Sequence, residues 1–229
     1  MAILLLGINF RTASVALREQ FAFNAQELPL LLESCLQKVG FEEVAIISTC
    51  NRTEIIGVMP SDQGQSAIDW LIELKKEQSL SALHVAEHLY ELWDQNAVTH
   101  LFRVACGLDS LVLGEPQILG QLKDAYQLAQ TARTIGGTLH RLFQRAFSVA
   151  KEVRTRTEIG TNPVSIAFVA VHLAKQLFHL KKKNILLIGA GETVELLLQH
   201  FLALEVGKIQ VANRTLSRAQ QLAETYRVG

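Results

Sequence analysis

The sequence has few cysteines, no long apolar run and no excess of either charge. Its three cysteines, Cys35, Cys50 and Cys106, are an odd number without the spacing typical of disulfides or zinc sites, so we expect reduced thiols in a reducing compartment. No apolar run approaches the roughly 18 residues that cross a bilayer. We therefore predict a soluble, cytoplasmic protein that binds neither a membrane nor a metal.

The absence of net charge removes one common indication of a nucleic-acid partner. Twenty-two basic residues balance twenty-two acidic ones. One stretch departs from this balance, because residues 133–156 contain six Lys or Arg residues and His140 against Glu152 alone. Such a stretch is either a solvated helix face or a surface that contacts a phosphate backbone.

A polar heptad, Ser48–Glu54, lies between two β-branched, apolar runs at residues 44–47 and 55–58. The runs predict buried strands, so the chain turns back within the heptad. As a thiolate, Cys50 is a carbonyl nucleophile, and the charge of Arg52 either lowers a nearby thiol pKa or grips a carboxylate. The alternative is a plain reverse turn in which Cys50 is a small packing residue.

The remaining pattern predicts an α+β layer followed by helices. We predict strands at 3–8 and 89–93, helices at 15–20, 26–39 and 65–76, and helices on one face of a small sheet. Asn96 is a candidate N-cap for a helix through residue 105. Helices are also predicted at 118–131, 138–155 and 165–180, with a break at 158–163 that indicates a domain boundary.

Two further motifs are compatible with ligand binding. Residues 107–121 contain a Gly-Glu-Pro turn before a helix. This turn is either a capping loop or a binding loop whose side chains contact an ammonium and a carboxylate. Residues 184–193 read as a buried strand followed by a Gly-Ala-Gly turn and a helix. Glycines in that position let the backbone approach a pyrophosphate, which the helix N-terminus stabilises.

The heptad, the 107–121 block and the glycine turn together resemble the glutamyl-tRNA reductase family. The resemblance implies an α/β protein, with an α+β catalytic domain at residues 1–158 and an incomplete Rossmann-like dinucleotide-binding domain at 159–229. Chains of this family continue well beyond residue 229 into a helical dimerisation region, so we expect that a longer protein has been cut. The family's homodimers are not expected of these residues alone, and activity of these residues alone is not implied.

The resemblance also assigns an activity and residues to it. It implies NADPH-dependent reduction of glutamyl-tRNA(Glu) to glutamate-1-semialdehyde through a Cys50 thioester, the first step of five-carbon tetrapyrrole synthesis, with the downstream aminomutase as a further candidate partner. His100 is the implied acid or base beside Cys50. The implied glutamate pocket consists of Thr49, Asn51, Arg52, Ser110, Glu115, Pro116, Gln117 and Gln121, and the implied cofactor loop consists of Gly189, Ala190, Gly191, Glu192, Thr193 and Val194.

The residues after the second cofactor strand favour NADP over NAD. An NAD site usually has an acid about 20 residues past the glycine turn, where it binds the ribose 2′-hydroxyl. This sequence has Asn213 and Arg214 there, and an arginine suits a 2′-phosphate. A surface position for Arg214 is the alternative.

Two other functions are compatible with the same residues. One is an aldehyde-dehydrogenase-like enzyme that forms a thioester without tRNA, and the other is a non-catalytic NADP-binding sensor in which Cys50 is structural. A requirement for charged tRNA distinguishes the first. Fast labelling of Cys50 by a thiol reagent distinguishes the second, because a packed thiol reacts slowly.

Overall fold

An antiparallel sheet of four strands lies at the centre of the first of two compact units, which span Met1–Asn162 and Pro163–Gly229. The computed structural model describes residues 1–76, 85–160 and 166–229. The strand order is β2-β3-β1-β4, where the strands are β1 (Ala2–Asn9), β2 (Glu43–Ser48), β3 (Arg52–Met59) and β4 (Tyr90–Trp93). The strands predicted on either side of Cys50 are confirmed, as is the α/β class.

The two central strands are buried on both faces. β3 is buried at every position, and β1 at all but one. Because successive side chains of a strand point to opposite faces, protein covers both sides of the sheet. The prediction of helices on one face was therefore wrong. The consecutive leucines at residues 4–6, all fully buried, are the sequence sign of two-sided burial.

Six helices accompany this sheet in the part of the first unit that the structure describes. The helix at Leu28–Ser34 continues as a π-helical turn, Cys35–Val39, and stops at Gly40, whose φ of 93° favours glycine. None of the helices in the described ranges has both the length and the apolar sequence that a bilayer crossing requires. The helices are α1 (Val15–Phe21), α2 (Leu28–Ser34), α3 (Gly64–Lys76), α4 (Asp94–Ala105), α5 (Gln117–Thr131) and α6 (Gly137–Arg156).

Helix α4 begins two residues before the predicted cap. Trp93 occupies the N-cap position and supplies no side-chain cap, while Asp94 is the first helical residue. Instead of a local cap, the Asp94 Oδ1 atom accepts a hydrogen bond from the backbone N–H of Ile3 at 2.9 Å. The prediction that Asn96 caps this helix was wrong, because a contact with β1, distant in sequence, determines where the helix starts.

Two of the three cysteines are packing residues. Cys35 is fully buried, and burial raises the pKa of its thiol to about 12. Cys106 is 3% exposed, and burial raises its pKa as well. Neither thiol is therefore an available nucleophile near neutral pH.

A carboxylate from the sheet caps the longest of the described helices. The N-cap position of α6 is Gly136, which has no side chain, and the Glu43 oxygens accept from the backbone N–H groups of Thr138 and Leu139 at 3.0 and 2.7 Å. A Cβ at residue 136 would lie 2.6 Å from Glu43 Oε1, so glycine leaves room for the carboxylate. The cap ties β2 to α6.

We expect Glu43→Ala to lower the free energy of unfolding by about 1–2 kcal/mol, because two helix N–H groups lose their acceptor. Urea denaturation measures this change. Glu42→Ala is the matched control, since Glu42 is the neighbouring exposed acid and its loss is expected to stay within about 0.5 kcal/mol. Equal effects from the two variants would contradict the capping role.

The second unit is a small α/β layer. Its strands β5 (Ile185–Ile188) and β6 (Ile209–Ala212) are parallel, with Ile185 opposite Ile209. Its core joins residues of both strands and of the helices, including Val171, Leu187, Leu198 and Phe201. The helices are α7 (Ile166–Leu177), α8 (Glu192–Leu202) and α9 (Leu216–Tyr226). The predicted strand–turn–helix order of this region is confirmed.

Candidate active site

Cys50 lies at the tip of the tight connection between β2 and β3. Thr49 builds this turn: its N–H bonds to the Arg52 carbonyl at 2.8 Å, and its hydroxyl accepts from the N–H groups of Asn51 and Arg52, both at 3.2 Å. Cys50 is exposed, so its interpretation as a packing residue is wrong. Two strands buried on both faces therefore hold a solvent-accessible thiol in a fixed position.

The surroundings of Cys50 favour the protonated thiol in this structure. Partial burial raises the pKa of Cys50, the charge of Glu115 raises it further, and a backbone hydrogen bond and the Arg18 guanidinium lower it. Arg18 Nε donates to the Cys50 carbonyl at 3.4 Å. The cation that acts on the thiol is thus Arg18, on α1, rather than the predicted Arg52.

Arg52 is buried and makes its ionic contacts within the chain. Its side chain is 1% exposed, and its Nη1 atom lies 2.5 Å from Glu54 Oε1. Its Nη2 atom donates to the Asp109 backbone carbonyl and lies 3.2 Å from Asp109 Oδ2. Acceptors of the chain itself thus occupy both terminal nitrogens of the guanidinium. Arg52 therefore joins the hairpin to the loop that carries Asp109, and its role in binding a substrate carboxylate stays a prediction.

Glu54 is the centre of the buried polar network. Besides Arg52, its Oε1 atom accepts from the Tyr90 hydroxyl and from His100 Nε2, the latter at 2.8 Å. Burial alone would raise the pKa of Glu54, but Arg52, His100 and Tyr90 together lower it to about 2. Its Oε2 atom is buried and has no hydrogen-bond partner among the described residues.

The bond to Glu54 selects one tautomer of His100. A carboxylate with so low a pKa is only an acceptor, so Nε2 of His100 carries the proton. In the neutral ring Nδ1 is then the atom that can accept a proton. Within the described residues, His100 shares no hydrogen bond with Cys50; its bonded partner is Glu54 and its ring lies against Tyr90, with centroids 5.5 Å apart.

Gly7 makes the contact between Glu54 and Tyr90 possible. In the sheet, Gly7 on β1 pairs with Glu54 on one side and with Tyr90 on the other. A Cβ at residue 7 would lie 2.8 Å from Glu54 Cγ. Without a side chain between them, the outer two residues meet across the middle strand.

The structure brings the predicted pocket loop against the hairpin. Residues 107–114 form a closed loop, in which the N–H of Gly114 donates to the carbonyl of Gly107 at 2.9 Å, and Arg52 attaches Asp109 to β3. Ser110 is 6% exposed, and its hydroxyl has no partner among the described residues. A buried polar group without a partner is costly, which is consistent with a ligand-binding role for Ser110.

The other predicted pocket residues follow this loop into α5. Glu115 is 8% exposed and its charge acts on Cys50. Pro116 occupies the N-cap position of α5, and Gln117 is its first residue. Gln121 is one turn later, so the two glutamines share a face of the helix. The Asn51 side chain makes no hydrogen bond with the described residues.

Sequence reasoning missed Glu54, Asp109, Tyr90 and Arg18. A signal was present for Glu54, because a carboxylate directly before an apolar run that predicts a buried strand requires a partner if it is buried too, and Arg52 two positions earlier lies on the same face. Asp109, Tyr90 and Arg18 carried no such signal. They belong to other elements and become partners only in the folded chain.

The predicted cofactor residues meet at one edge of the second sheet. β5 and β6 end side by side, with Ile188 opposite Ala212, and the Gly189 N–H donates to the Ala212 carbonyl at 2.7 Å. Gly189 has a φ of 120°, which favours glycine, and a Cβ at Gly191 would meet nothing within 4 Å. Helix α8 begins directly after this open turn at Glu192, followed by Thr193 and Val194.

The fold and the site define a two-unit α/β protein with an exposed thiol on its first unit and the beginning of a Rossmann-like layer in its second. The profile of "Glutamyl-tRNAGlu reductase, N-terminal domain" matches residues 6–157, and that of "Shikimate / quinate 5-dehydrogenase" matches residues 172–229. The chain belongs to the glutamyl-tRNA reductase family. The resemblance inferred from the three motifs is confirmed.

Individual relatives agree with this assignment. The chain is 51% identical over 227 residues to the glutamyl-tRNA reductase of Colwellia psychrerythraea, covering 97% of this chain and 53% of the relative. It is 49% identical to the glutamyl-tRNA reductase of Halorhodospira halophila, and the match covers 99% of this chain and 50% of the relative. The solved structure of the glutamyl-tRNA reductase from Methanopyrus kandleri superposes with a TM-score of 0.66 at 30% identity. The superposition covers 99% of this chain and 53% of that chain. The chain thus spans about half the length of these relatives.

Proposed function

We propose that the protein reduces the glutamyl group of glutamyl-tRNA(Glu) to glutamate-1-semialdehyde with NADPH. The Cys50 thiolate attacks the ester carbonyl, the carbon–oxygen bond to the tRNA breaks, and free tRNA leaves with a proton. The resulting thioester is less resonance-stabilised than an oxygen ester, so it accepts a hydride more easily. The observation that carries this proposal is the exposed Cys50 thiol beside a pocket loop with an unpartnered Ser110.

The proposal assigns a different role to each of the site residues. The charge of Glu115 acts on the thiol and provides an attraction for the ammonium group of the substrate. Polar groups around the bound glutamyl group come from Thr49, Asn51, Ser110, Gln117 and Gln121. Pro116 shapes the start of α5. His100 is proposed as the acid or base through Nδ1. Arg52 holds the loop in place and positions the pocket through Asp109.

We infer that the second unit binds the dinucleotide, which supplies the hydride when bound. The fit rests on the glycine turn Gly189–Gly191, which leaves open space at the N-terminus of α8, where free N–H groups stabilise a phosphate. Ala190, Glu192, Thr193 and Val194 complete the turn. Asn213 and Arg214 follow β6 at the same edge of the sheet, and Arg214 is exposed, which suits a 2′-phosphate and hence NADP.

The test uses full-length protein, tRNA(Glu) charged with labelled glutamate, and NADPH. We expect one semialdehyde for each NADPH oxidised. If NADPH is omitted, we expect a glutamyl adduct that mass spectrometry locates on Cys50. Uncharged tRNA with free glutamate serves as the control and should give neither product. Reduction of a free or CoA-linked acid at a comparable rate would contradict the proposal and favour an aldehyde-dehydrogenase-like enzyme.

A further inference from the structure

A basic groove runs between helices α5 and α6 on the first unit. Its volume is about 570 Å³, and no acidic residue is among those that line it. The lining residues are Leu119, Lys123, Gln144, Phe147, Ser148, Lys151, Arg154 and Thr155. The groove therefore combines three cations with hydroxyl and amide groups and one aromatic ring.

Contacts within the chain divide the basic residues of α6 into engaged and available ones. Arg156 pairs with Glu152 at 2.8 Å, and His140 Nδ1 bonds to the Tyr126 hydroxyl at 2.6 Å. Lys151 and Lys123, in contrast, are exposed and form no ion pair with the residues that the structure describes. Lys123 Nζ lies 6.0 Å from the centre of the Phe147 ring. The groove thus holds part of the free positive charge of this region, while Arg141 and Arg145, which are also exposed and form no ion pair with the described residues, lie outside its lining.

Arg154 connects the groove with the loop beside Cys50. It lines the groove, and its Nη2 atom donates to the carbonyls of Gly114 and Glu115 at 3.1 and 2.7 Å. Glu115 in turn is the residue whose charge raises the pKa of the Cys50 thiol. The groove and the Cys50 site are thus joined through the loop at Gly114 and Glu115.

We propose that the groove between α5 and α6 binds phosphates of the tRNA whose aminoacyl end is at Cys50. This inference rests on the proposed function. Lysines spaced along an open groove suit a polyanion, because each neutralises a phosphate and releases a counterion, while the hydroxyl and amide groups bond phosphate or ribose oxygens. The Phe147 ring adds an apolar floor of the kind against which a ribose or base packs.

The test measures binding of labelled, uncharged tRNA(Glu) to full-length protein by fluorescence anisotropy at several salt concentrations. We expect the double variant Lys123→Gln/Lys151→Gln to bind roughly tenfold more weakly, and the slope of log K against log salt to become shallower by about one for each lysine that contacts a phosphate. Lys38→Gln is the matched control, because it removes the same charge from an exposed position outside the groove. It should leave the slope unchanged.

Further measurements separate this inference from its alternatives. NADPH affinity and the rate at which iodoacetamide labels Cys50 should be the same in the double variant and in the unaltered protein, and equal melting temperatures would show that both are folded. A loss of NADPH affinity with unchanged tRNA binding would overturn the inference in favour of a cofactor-phosphate site. If the unaltered protein reduces charged tRNA and the double variant keeps its salt slope, the proposed function stands and the groove assignment is wrong.

Discussion

Cys50→Ser in the full-length protein is expected to abolish reduction of charged tRNA, with a loss of at least about 10³-fold. A serine hydroxyl is hardly ionised near neutral pH, and an ester on serine is a poorer hydride acceptor than a thioester. Because Cys50 is exposed at a turn built by Thr49, the free energy of unfolding should change by less than about 0.5 kcal/mol. NADPH oxidation and urea denaturation measure the two quantities.

Cys35→Ala provides the matched control for this experiment. It removes a thiol that is fully buried, so it should cost stability through a small cavity yet leave both the glutamyl adduct and reduction in place. Substantial reduction by the Cys50→Ser protein, or an adduct trapped on Cys35, would exclude Cys50 as the nucleophile. A Cys50→Ser protein that fails to fold would contradict the exposed position of the thiol.

The largest stability effect is expected from Glu54→Gln. The buried Arg52 guanidinium would lose the carboxylate 2.5 Å away, and breaking one side of a buried ion pair costs about 3–5 kcal/mol. Urea denaturation near neutral pH measures the loss. Glu42→Gln, on an exposed acid, is the control and should have little effect.

The same variant should change the acid sensitivity of the fold. The pKa of Glu54 is lowered from 4.5 to about 2, so its contribution to stability is fully present above pH 4.5 and is lost as the pH falls towards 2. The shift corresponds to roughly 3 kcal/mol. The unaltered protein should therefore lose more stability across this range than the Glu54→Gln protein. Parallel pH profiles would show that the carboxylate is not held in its charged form.

Much of the fold follows from local sequence pattern. The apolar runs beside Cys50 predict β2 and β3, and the glycine turn predicts the order of β5 and α8, because the pattern that buries each element is contained within it. Two-sided burial of the sheet and the start of α4 at Asp94 were missed. Both depend on elements distant in sequence, as the bond from Ile3 to Asp94 shows.

The sequence predicts which residues belong to the candidate site, but it does not predict which of them contact each other. The heptad and the 107–121 block contain Cys50 and Glu115, and the fold places the charge of Glu115 where it acts on the thiol. Sequence spacing did not show which way Arg52 points, since a residue at a strand end can face a pocket or the interior. The interior position became clear only with Glu54 and Asp109, which satisfy its charge.

The missing side chain at Gly7 limits which residues can occupy this position of β1. Strands β3 and β4 are not neighbours in the sheet, yet the Tyr90 hydroxyl reaches Glu54 over the middle strand. The contact between the two flanking strands thus depends on the missing side chain at residue 7, whose place the Glu54 side chain takes. Any bulkier residue there would separate the histidine side of the network from the hairpin side, although no atom that touches the substrate had been altered.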